Sequence, residues 1–163
     1  SMGLVFLFFV GAGIYYVSYG LPWDAYQYKS QFETYLEDKY AKDMEIEKIS
    51  FDVIHQVYHA TAYETSESEL TFYVGQHITD KEISDSYDFE KLSKALENDI
   101  QAILNEFLSN YEKYSTELID VDTKKTELLI WTEEEIHKNT QNVIKDQIEN
   151  KGYVIDQLYF YED

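Results

Sequence analysis

The chain has 163 residues, enough for one domain or two small ones, and its 32 acidic residues against 13 basic ones set a net charge of −19. Every basic residue is lysine and cysteine is absent. Without clustered positive charge or arginine forks the chain is repelled by phosphate backbones, which excludes nucleic acid as a partner and disfavours an anionic lipid surface for the folded part. Lack of cysteine excludes a disulfide scaffold, thiolate zinc sites, thiol catalysis and a lipidated cysteine anchor. A hydrophobic content of 44% with 17% aromatics is that of a folding chain despite the charge.

Residues 2–23 read MGLVFLFFVGAGIYYVSYGLPW, with no charge before Asp24. As a helix this stretch is about 30 Å long, the thickness of a bilayer's hydrocarbon, so it is expected to be a transmembrane anchor. Tyr15, Tyr16, Tyr19 and Trp23 gather at one end, as amphipathic rings do at a water interface, and Pro22 marks where a helix stops or turns. The rival readings are a buried core helix and a cleaved signal peptide; the run lacks a polar stripe, exceeds a usual signal core and is followed by no small-x-small site. Ser1 ahead of Met2 reads as an expression remnant, with any basic flank upstream of it outside this sequence. Lys29, Lys39 and Lys42 beyond the run favour a cytoplasmic folded part. The absence of cysteine and the 16 tyrosines fit an extracytoplasmic one, and that location is the one expected here.

Asp24 with Gln27 resembles a capping box, and Ala25, Tyr28, Phe32, Tyr35, Leu36 and Tyr40 recur at helical spacing. From Met44 to Tyr63 the alternation switches parity, from Met44 and Ile46 to Ile49, Phe51 and Val53. That predicts a bulge near Lys48 and two strands joined around His55 and Gln56. Glu64 to Glu69 is a turn, and Leu70, Phe72 and Val74 mark another strand. Residues 76–86 have no clean period and are expected to connect subdomains. A strong helix follows, with Asp88 as cap, Tyr87 and Leu92 as staple and a stripe from Phe89 through Leu96, Ile100 and Leu104 to Tyr111. Strands are predicted over 117–122 and 126–131, a third helix from a Thr132/Glu135 capping box to Gly152, and a last strand over 153–161. The predicted organisation is an anchor (1–23), a helix with antiparallel strands (24–80), and a long helix, strands, helix and strand (81–163). This is an α+β fold with amphipathic helices on one face of antiparallel sheets, and a helix followed by strands occurs in both halves.

Signals for chemistry are sparse. His55 and His59 would share a strand face with Asp52 nearby, enough for a metal or acid/base site only with further ligands; His77 and His137 stand alone. No HExxH, GxSxG, Gly-rich phosphate loop or dinucleotide fingerprint occurs. Asp120, Asp122 and Glu127 suggest calcium, but Lys124 and Lys125 stand where such a loop wants oxygen ligands and glycine. Glu133, Glu134 and Glu135 fit a helix's first turn. Tyrosines could line a peptide or glycan surface, although most fall at core spacing. No catalytic, cofactor-binding or metal residue is assigned, and no cofactor is expected.

Gly20 to Tyr40, a membrane exit GLPW feeding a helix that ends YLEDKY, together with the ISFDVIHQVYHATAY strands, resembles the YfjL-like group of small single-pass membrane proteins of Bacillus and its relatives. The resemblance implies a membrane-tethered domain, adds to the extracytoplasmic expectation and carries over no active site. Together these readings point to a noncatalytic interaction or regulatory module held at the membrane by residues 2–23, facing a protein, peptide or cell-wall partner. The alternative is a tethered hydrolase built on Asp52, His55 or His59; divalent-cation binding by the acidic surface is a third reading.

Overall fold

A computed structural model describes residues 2–108 and 110–162; the readings of Ser1 and of the Tyr19 side chain lie outside what it describes. The chain is α+β and divides into two units, Ser1–Tyr87 and Asp88–Asp163.

The first unit begins with helix α1 (Met2–Tyr19), which is long and apolar enough to cross a membrane by length and composition. Its large apolar side chains are open along the first turns: Leu4, Phe6 and Phe8 are each about 70% exposed, unlike those of a core helix. Gly20 ends α1 in the left-handed region (φ 69°), its N–H bonded to the Tyr16 carbonyl. Glycine adopts this conformation without a Cβ clash, and here a Cβ would also collide with the Tyr58 ring. Helix α2 (Pro22–Tyr40) starts three residues earlier than the Asp24 capping box predicts, because Pro22 takes the first-turn position where its fixed φ and missing N–H cost nothing. Asp24 sits in the first turn instead, where a carboxylate still suits the helix dipole.

Strands β1 (Met44–Asp52), β2 (Val57–Glu64), β3 (Thr71–Gln76) and β4 (Ile83–Asp85) form an antiparallel sheet in that order. The register slips between Ile46 and Lys48. This bulge keeps Met44, Ile46, Ile49 and Phe51 on one face despite their change of parity. With Tyr58, Ala60, Ala62, Phe72 and Val74 that face packs against Phe32 and Leu36 of α2. The residues expected to be a connection, 76–86, instead contain β4, too short to show a period.

The second unit opens with α3 (Tyr87–Phe107). It begins at Tyr87, one residue before the expected Asp88 cap, with the Tyr87 N–H held by the Asp85 carboxylate. Tyr111, read as the end of the helical stripe, belongs to β5 (Tyr111–Asp120), and Phe89 is exposed. Strand β6 (Lys125–Thr132), helix α4 (Lys138–Asn150) and strand β7 (Val154–Glu162) complete the unit. The sheet order is β5-β6-β7, with β5 antiparallel and β7 parallel to β6. The mixed sheet follows from α4, which carries the chain back so that β7 enters in the same direction as β6, where a hairpin would have reversed it. Leu96, Ile100 and Leu104 of α3 and Ile144 and Ile148 of α4 share one core with Leu118, Leu128 and Ile130 of the sheet.

The Thr132/Glu135 capping box does not form. Thr132 closes β6, and its buried hydroxyl donates to the carbonyls of Glu134 (2.8 Å) and Tyr161 (3.3 Å), while α4 starts six residues later behind His137. Glu133, Glu134 and Glu135 are therefore exposed loop residues rather than a helix's first turn. Gly152 terminates α4 at φ 89°, as its position predicts.

Candidate interaction surface

The histidines do not converge. His55, in the β1–β2 turn, pairs with Asp52 through Nδ1 at 2.6 Å, and the same carboxylate accepts the Ile54 and His55 N–H groups. This is a turn clasp in which His55, foremost, and the turn amides hold the Asp52 carboxyl below its ordinary range. His59, in mid-strand, stacks on Tyr73 at 6.2 Å, His77 meets the Ser84 hydroxyl at 2.8 Å, and His137 precedes α4 without capping it. In the β5–β6 turn the Asp120 carboxylate accepts the Thr123 N–H at 2.7 Å and the Thr123 hydroxyl, while Lys125 pairs with Asp156 at 2.7 Å. Among the described residues no three His, Asp or Glu side chains are grouped to hold a metal ion.

The densest cluster of titratable groups fastens the first unit. The Asp85 side chain is fully buried and accepts hydrogen bonds from Tyr40 (2.7 Å), Lys39 (2.8 Å), Tyr35 (2.9 Å) and the Tyr87 N–H (3.0 Å). Burial opposes its ionisation, but these donors prevail and the carboxyl stays below its ordinary range. Beside it, Glu64 accepts from Lys42 (2.6 Å), Ser66 and Tyr87, and its pKa falls to about 2, with Lys42 the chief cause. The donors to these carboxylates come from their own chain, an arrangement that ties α2 to the sheet.

A different kind of surface lies on the second sheet. One face of β6 (Thr126, Leu128, Ile130, Thr132) is buried under the helices. The alternate residues face outward. Register sets Trp131 between Lys113 and Tyr161, Leu129 between Ser115 and Tyr159, and Glu127 between Glu117 and Gln157. Trp131 stacks on Tyr161 with centroids 5.4 Å apart, Tyr161 meets Tyr159 at 6.2 Å, and the Lys113 ammonium lies 4.9 Å from the Trp131 ring centre. Tyr159 and Tyr161 remain 46% and 43% exposed, so the rings make an open platform and not a second core. The sequence signal for it was β6 itself, where apolar residues occur at both parities. Its companions from β7 depended on the parallel pairing.

No protein-family model matches the chain, and no curated protein matches it. Among solved structures it is similar to a DUF5037 family protein from Ruminococcus gnavus ATCC 29149, with 14% identity and a TM-score of 0.38 over 74% of this chain and 68% of that one. A likeness this loose supports no functional argument.

Proposed function

We propose that the chain is a membrane-tethered, noncatalytic interaction module. In this reading α1 spans the lipid, the two units fold in water on the extracytoplasmic side, and the open face of the second sheet receives a partner. The observation that carries it is the condition of α1: a charge-free helix with Leu4, Phe6, Leu7, Phe8 and Phe9 each about two-thirds exposed, a state that lipid stabilises and water does not. The likeness to the YfjL-like group supports the tether. Two of the three lysines that argue for a cytoplasmic location have structural roles, since Lys39 serves Asp85 and Lys42 serves Glu64, which gives them a reason to stand near the apolar run apart from orienting it. The hydrolase reading loses its support in the geometry, where Asp52 and His55 form an exposed turn and His59 stacks on a tyrosine.

The test is alkaline extraction of membranes from cells expressing the full chain, combined with reporter fusions at its carboxyl end. Retention in the lipid fraction with activity only of the extracytoplasmic reporter is expected. Release into the aqueous fraction would remove the tether, and a cytoplasmic reporter signal would reverse the orientation.

A further inference from the structure

The open face combines rings with two carboxylates that, among the described residues, have no ion-pair partner. Glu117 and Glu127 stand directly opposite each other across β5 and β6. Like charges at such positions repel, and the repulsion is relieved when a cation settles between them. The lysines of β5 and β6 are committed elsewhere, Lys113 to the face of Trp131 and Lys125 to Asp156. The Lys113 ammonium rests over the Trp131 ring by cation–π attraction, the chemistry by which the neighbouring exposed rings would hold a partner's cation. Beyond the face itself, a chain of net charge −19 attracts positive partners over a distance of about 8–10 Å at physiological salt.

Building on the interaction-module reading, we infer that this face binds an extended cationic segment of another protein. Its arginine or lysine side chains lie against the exposed rings of Tyr159 and Tyr161, beside the Trp131 ring that Lys113 and Tyr161 flank, and pair with Glu117 and Glu127. A neutral glycan would use the rings equally well and would donate hydroxyls to the carboxylates, but it would leave their like charges unneutralised, and that difference favours the cationic peptide.

Trp131 is one of two tryptophans, so Trp23→Phe leaves it as the sole tryptophan in the full chain held in neutral detergent, excited selectively at wavelengths where the 16 tyrosines do not absorb. Titration with a short arginine–glycine repeat peptide is expected to change the Trp131 emission saturably, to weaken several-fold from low to physiological salt, and to weaken about tenfold in the Glu117→Gln/Glu127→Gln variant. An emission unmoved by the peptide, or binding indifferent both to salt and to the double substitution, overturns the inference. Saturable binding of a neutral chitin oligosaccharide with no response to the peptide overturns the choice of partner while leaving the module intact. Membrane extraction of the same variant reads the tether separately, because neither glutamate lies in α1. An unchanged near-ultraviolet dichroism spectrum shows that the variant is folded.

Discussion

Replacing Asp85 by alanine isolates what holds α2 to the first sheet. The wild-type carboxylate satisfies two phenolic hydroxyls, one backbone N–H and the Lys39 ammonium, all within 3.0 Å. Lys39 is 42% exposed and regains water when its partner is lost, so it contributes little to the cost. The tyrosine hydroxyls and the Tyr87 N–H are partly buried and lose their acceptor, each at a fraction of the roughly 1–3 kcal/mol of an unsatisfied buried group. A destabilisation of about 2–4 kcal/mol follows, equivalent to a melting point lower by about 5–15 °C. Asp85→Asn retains one carbonyl acceptor and the shape, and should cost about half as much. Thermal melts by circular dichroism, with amide exchange at Ser86 and Tyr87 as the local readout, measure both. If Asp85→Ala melted within about 2 °C of the wild type, the carboxylate would not be the fastening described, and α2 would be held by its apolar packing, with Phe32 and Leu36 at its centre.

Three further outcomes are expected. Acid should loosen the first unit: Glu64 and Asp85 have depressed folded-state pKa values, so the unfolded chain binds more protons, and their contribution, full above the ordinary carboxylate range, is lost as pH falls through the folded values, for Glu64 from 4.5 toward about 2. Urea unfolding should show this slope, and Glu64→Gln should flatten it. Thr132→Val removes the hydroxyl donated to Glu134 and Tyr161, and should cost about 1–2 kcal/mol by denaturant unfolding, with faster amide exchange confined to the end of β7. Glu127→Gln alone relieves the repulsion opposite Glu117 and should raise the ligand-free melting point by about 1–2 °C; a lower one would mean that Glu127 has a favourable partner.

What the sequence revealed depended on whether the governing interaction was local. The parity switch between Ile46 and Ile49 located a bulge because side-chain alternation is a property of one strand. The α3 stripe was legible through Leu96, Ile100 and Leu104 for the same reason, at helical period. Thr132 misled because a hydroxyl before an acidic run fits a helix cap and also the end of a strand, and the carbonyl of Tyr161, distant in sequence, decided between them. Asp85 lay in a segment without period, its partners some 45 to 50 positions away. The parallel entry of β7 could not be read from its residues, since direction is set by the path of α4, and the platform of Trp131, Tyr159 and Tyr161 exists only after that choice.

The junction between α1 and α2 has a mechanical consequence. Only Gly20 and Leu21 separate the helices, Tyr16 rests on Phe51 at 5.8 Å, and Tyr58 lies over Gly20 and stacks on Tyr28 at 4.5 Å. Such a joint has no slack. A tilt imposed on α1 turns the first unit with it, as a lever turns its bracket, and the torque arrives at the β1–β2 hairpin through these rings.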